Sequence, residues 1–103
     1  MSRAALARSL RDAVVRVPGV TRLAPGGTVE VSTQFAGGKV PGVRISGPTV
    51  EVHIAIGRLP VRQVADEVHE VAAQALRDAG DERPVRVVIT DIDTESLPRD
   101  LRE

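Results

Sequence analysis

The sequence contains no cysteine, tryptophan or tyrosine, and Phe35 is its single aromatic residue. A chain without cysteine forms no disulfide, has no thiol nucleophile and offers no thiolate to a metal. One aromatic side chain is too few for the stacking platforms that bind single-stranded nucleic acids. The 14 basic residues balance the 14 acidic ones, so net charge does not attract the chain to nucleic acid or anionic lipid. These absences nearly exclude base-stacking platforms, aromatic ligand cages and any function that needs a thiol.

The sequence also lacks a long apolar run. No stretch is long and apolar enough to predict a membrane span, and the first residues do not resemble a signal peptide. We therefore predict a cytoplasmic protein with no direct insertion into a membrane. A chain of 103 residues suits one domain. We assign this domain to residues 1–92 and a charged C-terminal tail to residues 93–103, with Leu97 and Leu101 as the apolar anchors of the tail.

The central part of the chain predicts a strand, a helix and a second strand. Residues 49–57 alternate between apolar and other side chains, which is typical of a strand with one buried face. After Pro60 the apolar residues recur at helical spacing, and Gly80 suits the end of that helix in a left-handed conformation. Residues 85–92 are too rich in β-branched side chains to favour a helix. The helix is expected to connect two parallel strands through a right-handed crossover.

The rest of the chain predicts a second helix and shorter strands. Ser2 can cap a helix that stops at Pro18 and Gly19, and residues 20–24, 28–35 and 43–45 have strand character. Residues 36–42 are the least regular part, and residues 46–49 form a turn that pairs the strands on either side as a hairpin. The predicted fold class is α+β: a two-layer sandwich with a mixed, mostly antiparallel sheet and two helices on one face, in the order α-β-β-β-α-β.

A glycine-rich segment, residues 37–39, ends in the single lysine of the chain and invites comparison with a phosphate-binding loop. Such a loop needs a longer glycine frame, a serine or threonine after the lysine, and a helix that begins at once. Lys39 is followed by Val40 and Pro41. We therefore predict no nucleotide site here, although a small-molecule-binding regulatory role for the loop stays open.

Two groups of polar residues have the composition of a metal site. Asp66, His69 and Glu70 lie within one helical turn, where a salt-bridged helix surface is the simpler interpretation. Asp91 and Asp93 flank Ile92 at the end of the last strand, where they are expected to mark the exit into solvent. No serine lies in a nucleophile-elbow context. The sequence predicts no catalytic residues, no metal and no cofactor, and hence a protein that is not an enzyme.

The order of these features resembles the alkaline shock protein family of envelope stress response proteins. The resemblance covers roughly residues 4–92 and rests on five segments: Gly19 with Val20, then residues 42–45, 50–56, 60–68 and 85–89. It implies a small, cytoplasmic, non-enzymatic protein that associates with the inner face of the cell envelope through a membrane-anchored partner. It also implies that such a protein can self-assemble, so a protein partner and a homo-oligomer are both expected.

The sheet face that the helices leave free is the predicted partner surface. If Val87 and Ile89 point toward the helices, the two strands contribute a mixed and partly apolar set to that face. Such a patch is typical of a surface for a partner or a second copy. The alternative is an ordinary open sheet face exposed to water. The candidate partner-binding residues are Glu51, His53, Ala55, Val88, Thr90 and Ile92.

A KH-like nucleic-acid-binding domain is the alternative function, because small αβ domains with a glycine-lysine loop include KH modules. A KH loop lies between two helices and has the pattern Gly-x-x-Gly. Here three residues separate Gly38 from Gly42, and the segment lies between predicted strands. The neutral net charge also disfavours nucleic acid as a partner. Association with protein is the favoured prediction.

Overall fold

The computed structural model describes residues 2–26, 30–45 and 47–97, and for Ser96 the backbone alone. The described chain is an α+β sandwich in which two helices cover one face of a mixed sheet, which confirms the predicted fold class. Five strands lie between the two helices, compared with four segments of predicted strand character and three strands in the predicted order of elements. The elements are α1 (Arg3–Val14), β1 (Val20–Leu23), β2 (Ser32–Phe35), β3 (Gly38–Pro41), β4 (Val43–Ile45), β5 (Val50–Ile56), α2 (Val61–Asp78) and β6 (Val85–Ile92).

Both helices begin and end where the sequence provides the appropriate residues. The Ser2 hydroxyl accepts a hydrogen bond from the Ala5 N–H at 3.1 Å and caps α1. Pro60 precedes α2 in an extended conformation, where its missing N–H costs no hydrogen bond. At the other end of α2, Gly80 has a φ of +77°, and the Asp81 N–H donates to the Leu76 carbonyl at 2.9 Å. This C-terminal arrangement is a Schellman motif.

The core lies between the helices and the inner face of the sheet. The two helices and strands β4, β5 and β6 each contribute apolar side chains at the spacing of their own element. Burial of these side chains supplies the main favourable free energy of folding. The buried core includes Leu6, Leu10 and Val14 of α1, Val64, Val68, Ala72 and Leu76 of α2, and Val43, Ile45, Val50, Val52, Ile54, Ile56 and Val85 of the sheet.

Strand β5 is the centre of the sheet. Strand β6 runs parallel to β5 along one edge, while β1 and β4 share the other edge and pair with its C-terminal and N-terminal halves. His53 joins the two shorter strands, because its N–H donates to the Gly42 carbonyl at 2.7 Å and its carbonyl accepts from the Ala24 N–H at 2.8 Å. The backbone of β5 is therefore hydrogen-bonded on both sides.

Residues 36–42 are regular, and the prediction of an irregular segment there is wrong. Strands β2 and β3 form an antiparallel hairpin whose turn contains Gly37 with a φ of +90°. The hairpin packs against α1, and Val40 is buried in the core. Strand β3 is too short to display an alternating pattern in sequence. The strand predicted over residues 28–35 begins at Ser32, and residues 28 and 29 lie outside the described part of the chain.

Strand β6 contains a bulge that sequence periodicity did not predict. Ile54 lies beside Ile89, but the next residue of β5, Ala55, lies beside Asp91, so Thr90 is an extra residue. A bulge of this kind exchanges the faces of all residues that follow it. Ile92 consequently lies beside Ile56, on the helix side of the sheet. The prediction that Ile92 shares the free face with Val88 is wrong for this reason.

The first residues of the predicted tail fold onto the domain. The Asp93 N–H donates to the Ile56 carbonyl at 2.7 Å, and a turn of 3₁₀ helix follows at Thr94–Ser96. Leu97 is buried, with 7% of its surface exposed. Leu101, the second predicted anchor, lies outside the described residues.

Candidate protein-association surface

The outer sheet face, opposite the helices, is built from rows of side chains that cross the strands. The register of the sheet decides each row, because residues paired across neighbouring strands point to the same side. We define the outer sheet face by Arg22 of β1, Arg44 of β4, Glu51, His53 and Ala55 of β5, and Arg86, Val88 and Asp91 of β6.

Glu51 is the centre of the first row, between Arg44 on β4 and Arg86 on β6. Its Oε1 lies 3.0 Å from His53 Nε2, and its Oε2 lies 3.8 Å from Arg44 Nη1. The hydrogen bond from His53 lowers the pKa of Glu51 below its ordinary value, and the positive charges of Arg44 and Arg86 lower it further against the opposing effect of partial burial. The carboxylate is therefore ionised at neutral pH, between one arginine on each neighbouring strand.

His53 is the most buried polar residue of the outer sheet face, with 9% of its surface exposed. Its Nε2 is occupied by Glu51, while its Nδ1 is buried and has no hydrogen-bond partner among the described residues. Val88 lies beside it on β6 and is partly buried. The imidazole thus works as a packed support for Glu51 rather than as an exposed ligand.

Ala55 is the centre of a second charged row. Its neighbours Arg22 and Asp91 join above it, with Arg22 Nη2 at 3.2 Å from Asp91 Oδ2. The same guanidinium lies 3.2 Å from Asp93 Oδ1, and the Thr21 hydroxyl also donates to the Asp93 carboxylate. The bond from Thr21, followed by the charge of Arg22, lowers the pKa of Asp93 despite some desolvation. Ala55, beneath these ion pairs, is fully buried.

The structure therefore changes the interpretation of the six predicted partner-binding residues. Four of the six lie together on the outer sheet face: Glu51, His53, Ala55 and Val88. Most of the charged side chains on that face form ion pairs with each other. Thr90 is the bulged residue, and its hydroxyl donates to the Ile54 carbonyl at 3.2 Å. Ile92 lies on the helix side and is 40% exposed. The face is a charged, paired surface rather than a partly apolar one.

The outer edge of β6 is the free surface that sequence reasoning missed. Among residues 2–26, 30–45 and 47–97, no strand pairs with this edge. Pro84 and Asp93, on either side of β6, direct backbone bonds toward β5, at 2.9 Å to the Val50 N–H and 2.7 Å to the Ile56 carbonyl. Because backbone direction alternates along a parallel strand, Val85, Val87 and Ile89 direct their N–H and C=O groups outward. We call these outward backbone groups, with the side chains of β6, the β6 edge.

Two other polar residues singled out in the sequence, Lys39 and Asp66, form ion pairs on the surface. Lys39 Nζ lies 2.8 and 2.9 Å from the two carboxylate oxygens of Glu30, so the glycine-lysine segment forms a salt-bridged hairpin rather than an anion loop. Asp66 lies 3.9 Å from Arg62 on the surface of α2. In the described ranges, no group of three His, Asp or Glu side chains could hold a metal ion. No helix there is long and apolar enough to cross a membrane.

Comparison with known proteins gives few matches. No family model matches the chain, and no curated protein matches it in sequence. Among solved structures, the chain is similar to the one described as MamM CTD H264E-E289H, with a TM-score of 0.49 and 19% sequence identity. The similarity covers 86% of this chain and 82% of that chain. We draw no functional conclusion from a likeness of this degree.

Proposed function

We propose that this domain is a non-enzymatic protein that works by binding another protein chain, and that the β6 edge is its binding surface. The observation that carries the proposal is a long strand, Val85–Ile92, whose outer edge has no strand partner among the described residues. Unpaired backbone groups at such an edge readily accept an added strand. Native proteins commonly protect exposed edges with charged side chains, proline, β-bulges or very short strands. Strand β6 spans eight residues without lysine or proline, and its bulge at Thr90 lies near its C-terminal end.

The charged residues of the outer sheet face support association over catalysis. Glu51 is occupied by His53 and Arg44, while Asp91 and Asp93 share Arg22. A catalytic acid or base must be able to reach a substrate from a cleft. These carboxylates instead form ion pairs with side chains of neighbouring strands on an open sheet surface, which supports a structural role for them.

The resemblance to the alkaline shock proteins supports a more specific proposal. In that role the domain acts in the envelope stress response at the cytoplasmic side of the membrane, through a membrane-anchored partner. The elements lie in the order on which the resemblance rests: α1, the hairpin of β4 and β5, helix α2 after Pro60, and β6. A β6 edge that accepts a strand would give such a partner a place to bind.

Val88→Glu tests the association. A glutamate at the centre of the β6 edge would lie directly beside an added strand and lose part of its hydration there, which is costly without a partner charge. We expect the variant to fold, because Val88 is partly exposed on the outer sheet face, and to lose the protein that co-purifies with tagged wild-type chain from the native cell. Val15→Glu is the matched control, since Val15 is 46% exposed at the end of α1, away from β6.

The comparison requires that both variants keep the wild-type circular dichroism spectrum and a cooperative thermal transition. Retention of the co-purifying protein by folded Val88→Glu would overturn the β6 edge as the binding surface. Loss of that protein by both variants would show that the effect is not specific to β6, and would also count against the proposal.

A further inference from the structure

Strand β6 is self-complementary in one antiparallel register, and we propose that its occupant is β6 of a second copy of this chain. This inference rests on the proposed role of the β6 edge in protein association. The two copies would be related by a two-fold axis through Val88, which makes the contact isologous. Their sheets would join into one continuous sheet.

The outer sheet face supplies the charge complementarity. The register with β5 places Arg86, Val88 and Asp91 at alternate ladder positions, beside Glu51, His53 and Ala55 respectively. Rotation about an axis at Val88 puts Val88 opposite its own copy. Arg86 then lies opposite Asp91 of the second copy, and the symmetry repeats the pair on the other side. Opposite charges at directly facing positions stabilise an antiparallel pair.

The helix side of the sheet agrees with the same register. Val87 faces Ile89 of the second copy, and Val85 faces Ile92 of the second copy. Val85, Val87 and Ile89 direct their backbone groups outward, so Val87 and Ile89 of opposite copies are placed to exchange N–H to C=O bonds. The pairing also covers Ile92, one of the most exposed large apolar side chains of the described chain. Backbone, charge and apolar contacts thus all favour one arrangement.

Other registers of the two β6 strands do not combine these backbone, charge and apolar contacts. A shift by one position would place residues of the outer sheet face opposite residues of the helix side. A shift by two positions would place Arg86 or Asp91 opposite Val88, which removes the charge pairs between the two copies. The bulge at Thr90 is essential, because in a regular strand Arg86 and Asp91 would point to opposite faces. The bulge at Thr90 therefore makes the outer face of β6 complementary to that of a second copy.

The contact is modest in size, since it joins two strand edges and their flanking side chains. Stable interfaces bury on the order of 1,200–2,000 Å², and edge pairing alone falls at or below the lower end. We therefore expect a dimer whose fraction rises with protein concentration in sedimentation equilibrium.

Val88→Cys tests the register directly. The chain has no cysteine, so the variant carries a single thiol per copy. In the proposed dimer the two thiols meet at a non-hydrogen-bonded pair with Cα atoms about 4.5 Å apart, within the range that a disulfide spans. Mild oxidation is expected to convert the variant to a covalent dimer at concentrations where wild type is dimeric. Arg44→Cys, on the same face but on β4, is the control and should remain monomeric on a denaturing gel.

Charge reversal tests the complementarity independently. Arg86→Glu places like charges opposite each other at both symmetric positions, so we expect the dimer to weaken by about tenfold or more. Asp91→Lys should weaken it similarly, and the double variant Arg86→Glu/Asp91→Lys should restore it. Arg44→Glu makes the same charge reversal beside Glu51 on the other edge of β5, and should leave the dimer unchanged.

The outcomes separate this inference from the proposed function. A wild-type chain that stays monomeric at all accessible concentrations overturns the dimer, as does a wild-type dimer in which Val88→Cys does not cross-link and the double variant does not rescue. In either case, a different protein that wild type captures and Val88→Glu loses would leave the proposed function standing. Cross-linking at Val88 together with rescue by the double variant supports the dimer.

Discussion

Ala55 has the shortest side chain on the outer sheet face, and its size determines what the residues beside it can do. Arg22 on β1 and Asp91 on β6 are separated by the whole width of β5, yet they form an ion pair above Ala55. A longer side chain at position 55 would occupy the space through which the guanidinium passes. This residue therefore allows a contact between two strands that do not touch through their backbones.

The carboxylate of Asp81 makes the stability of the fold depend on pH. Its carboxylate accepts hydrogen bonds from the Arg83 side chain, at 2.6 Å from Nη2, and from the Arg83 backbone N–H at 2.9 Å. The side-chain bond first, and the backbone bond next, lower the pKa of Asp81 to about 2. A folded-state pKa below the ordinary value contributes stability that is present above the ordinary value and lost as pH falls toward 2.

We expect Asp81→Asn to be less stable than wild type at neutral pH, and to lose less of its unfolding free energy when the pH is lowered from neutral toward 2. The measurement is a series of urea denaturation curves across that range. Glu82→Gln is the control, because Glu82 is the neighbouring carboxylate and is exposed. Parallel pH profiles for Asp81→Asn and wild type would contradict the assigned role of Arg83.

At the scale of the elements, periodicity predicted most of the fold and failed where a strand departs from regular geometry. The alternation of Val50, Val52, Ile54 and Ile56 identified the buried face of β5, because those side chains meet the helices. The same strict alternation, continued along β6 without a bulge, predicted Ile92 on the outer sheet face, whereas it lies on the helix side. Nothing in the local sequence around Thr90 marks the bulge, since it contains neither glycine nor proline and depends on the pairing with β5.

The candidate surface was partly predictable for a related reason. The sequence predicted both helices on one face of the sheet, so the opposite face could be identified as free. The ion pairs that cover this face could not be predicted, because they join residues far apart in sequence, such as Arg22 and Asp91. The β6 edge follows from topology rather than pattern. Only the observed order shows that β1 and β4 share one edge of β5 and leave the outer side of β6 open among the described residues.

Gly42 lies at the junction of strands β3, β4 and β1, where there is no room for a side chain. Its φ is +85°, and a Cβ atom there would lie 2.9 Å from Leu23 Cβ and 3.0 Å from the His53 carbonyl oxygen. Gly80 has a similar φ of +77°, but a Cβ atom there meets nothing within 4 Å. Gly80→Ala should therefore cost only the conformational strain, about 1–2 kcal/mol. Gly42→Ala should cost clearly more, because it adds backbone collisions in the central sheet.

Urea denaturation of the two glycine variants separates conformational strain from steric collision. The difference between their losses of unfolding free energy measures the collisions of a Cβ atom at position 42. Equal losses of unfolding free energy would show that Gly42 is required only for its backbone conformation. In that case the chain around Leu23 and His53 would have room to move aside.

At the scale of the whole molecule, β5 explains why the chain folds as one unit. It pairs with β1 near the start of the chain, with β4 just before it and with β6 near the end, while its apolar side chains meet both helices. Asp93 extends this arrangement beyond the last strand, through its N–H to Ile56 and its carboxylate to Arg22 and Thr21. The boundary predicted at residue 92 therefore falls inside the packed structure.

Two truncated chains test where the domain ends. A chain that stops after Leu97 keeps the contacts of Asp93 and the burial of Leu97, whereas a chain that stops after Ile92 loses both. Losing the burial of one leucine removes about 2 kcal/mol of stabilisation, which lowers Tm by about 10 °C in a domain of this size. We expect at least this difference between the two truncated chains in thermal melts at low protein concentration. Leu97→Ala in the full chain should reproduce much of it, because Leu97 is the buried apolar residue that the shorter chain lacks. If the two truncated chains melt at the same temperature, the structural domain ends at Ile92, and residues 93–97 add nothing to its stability.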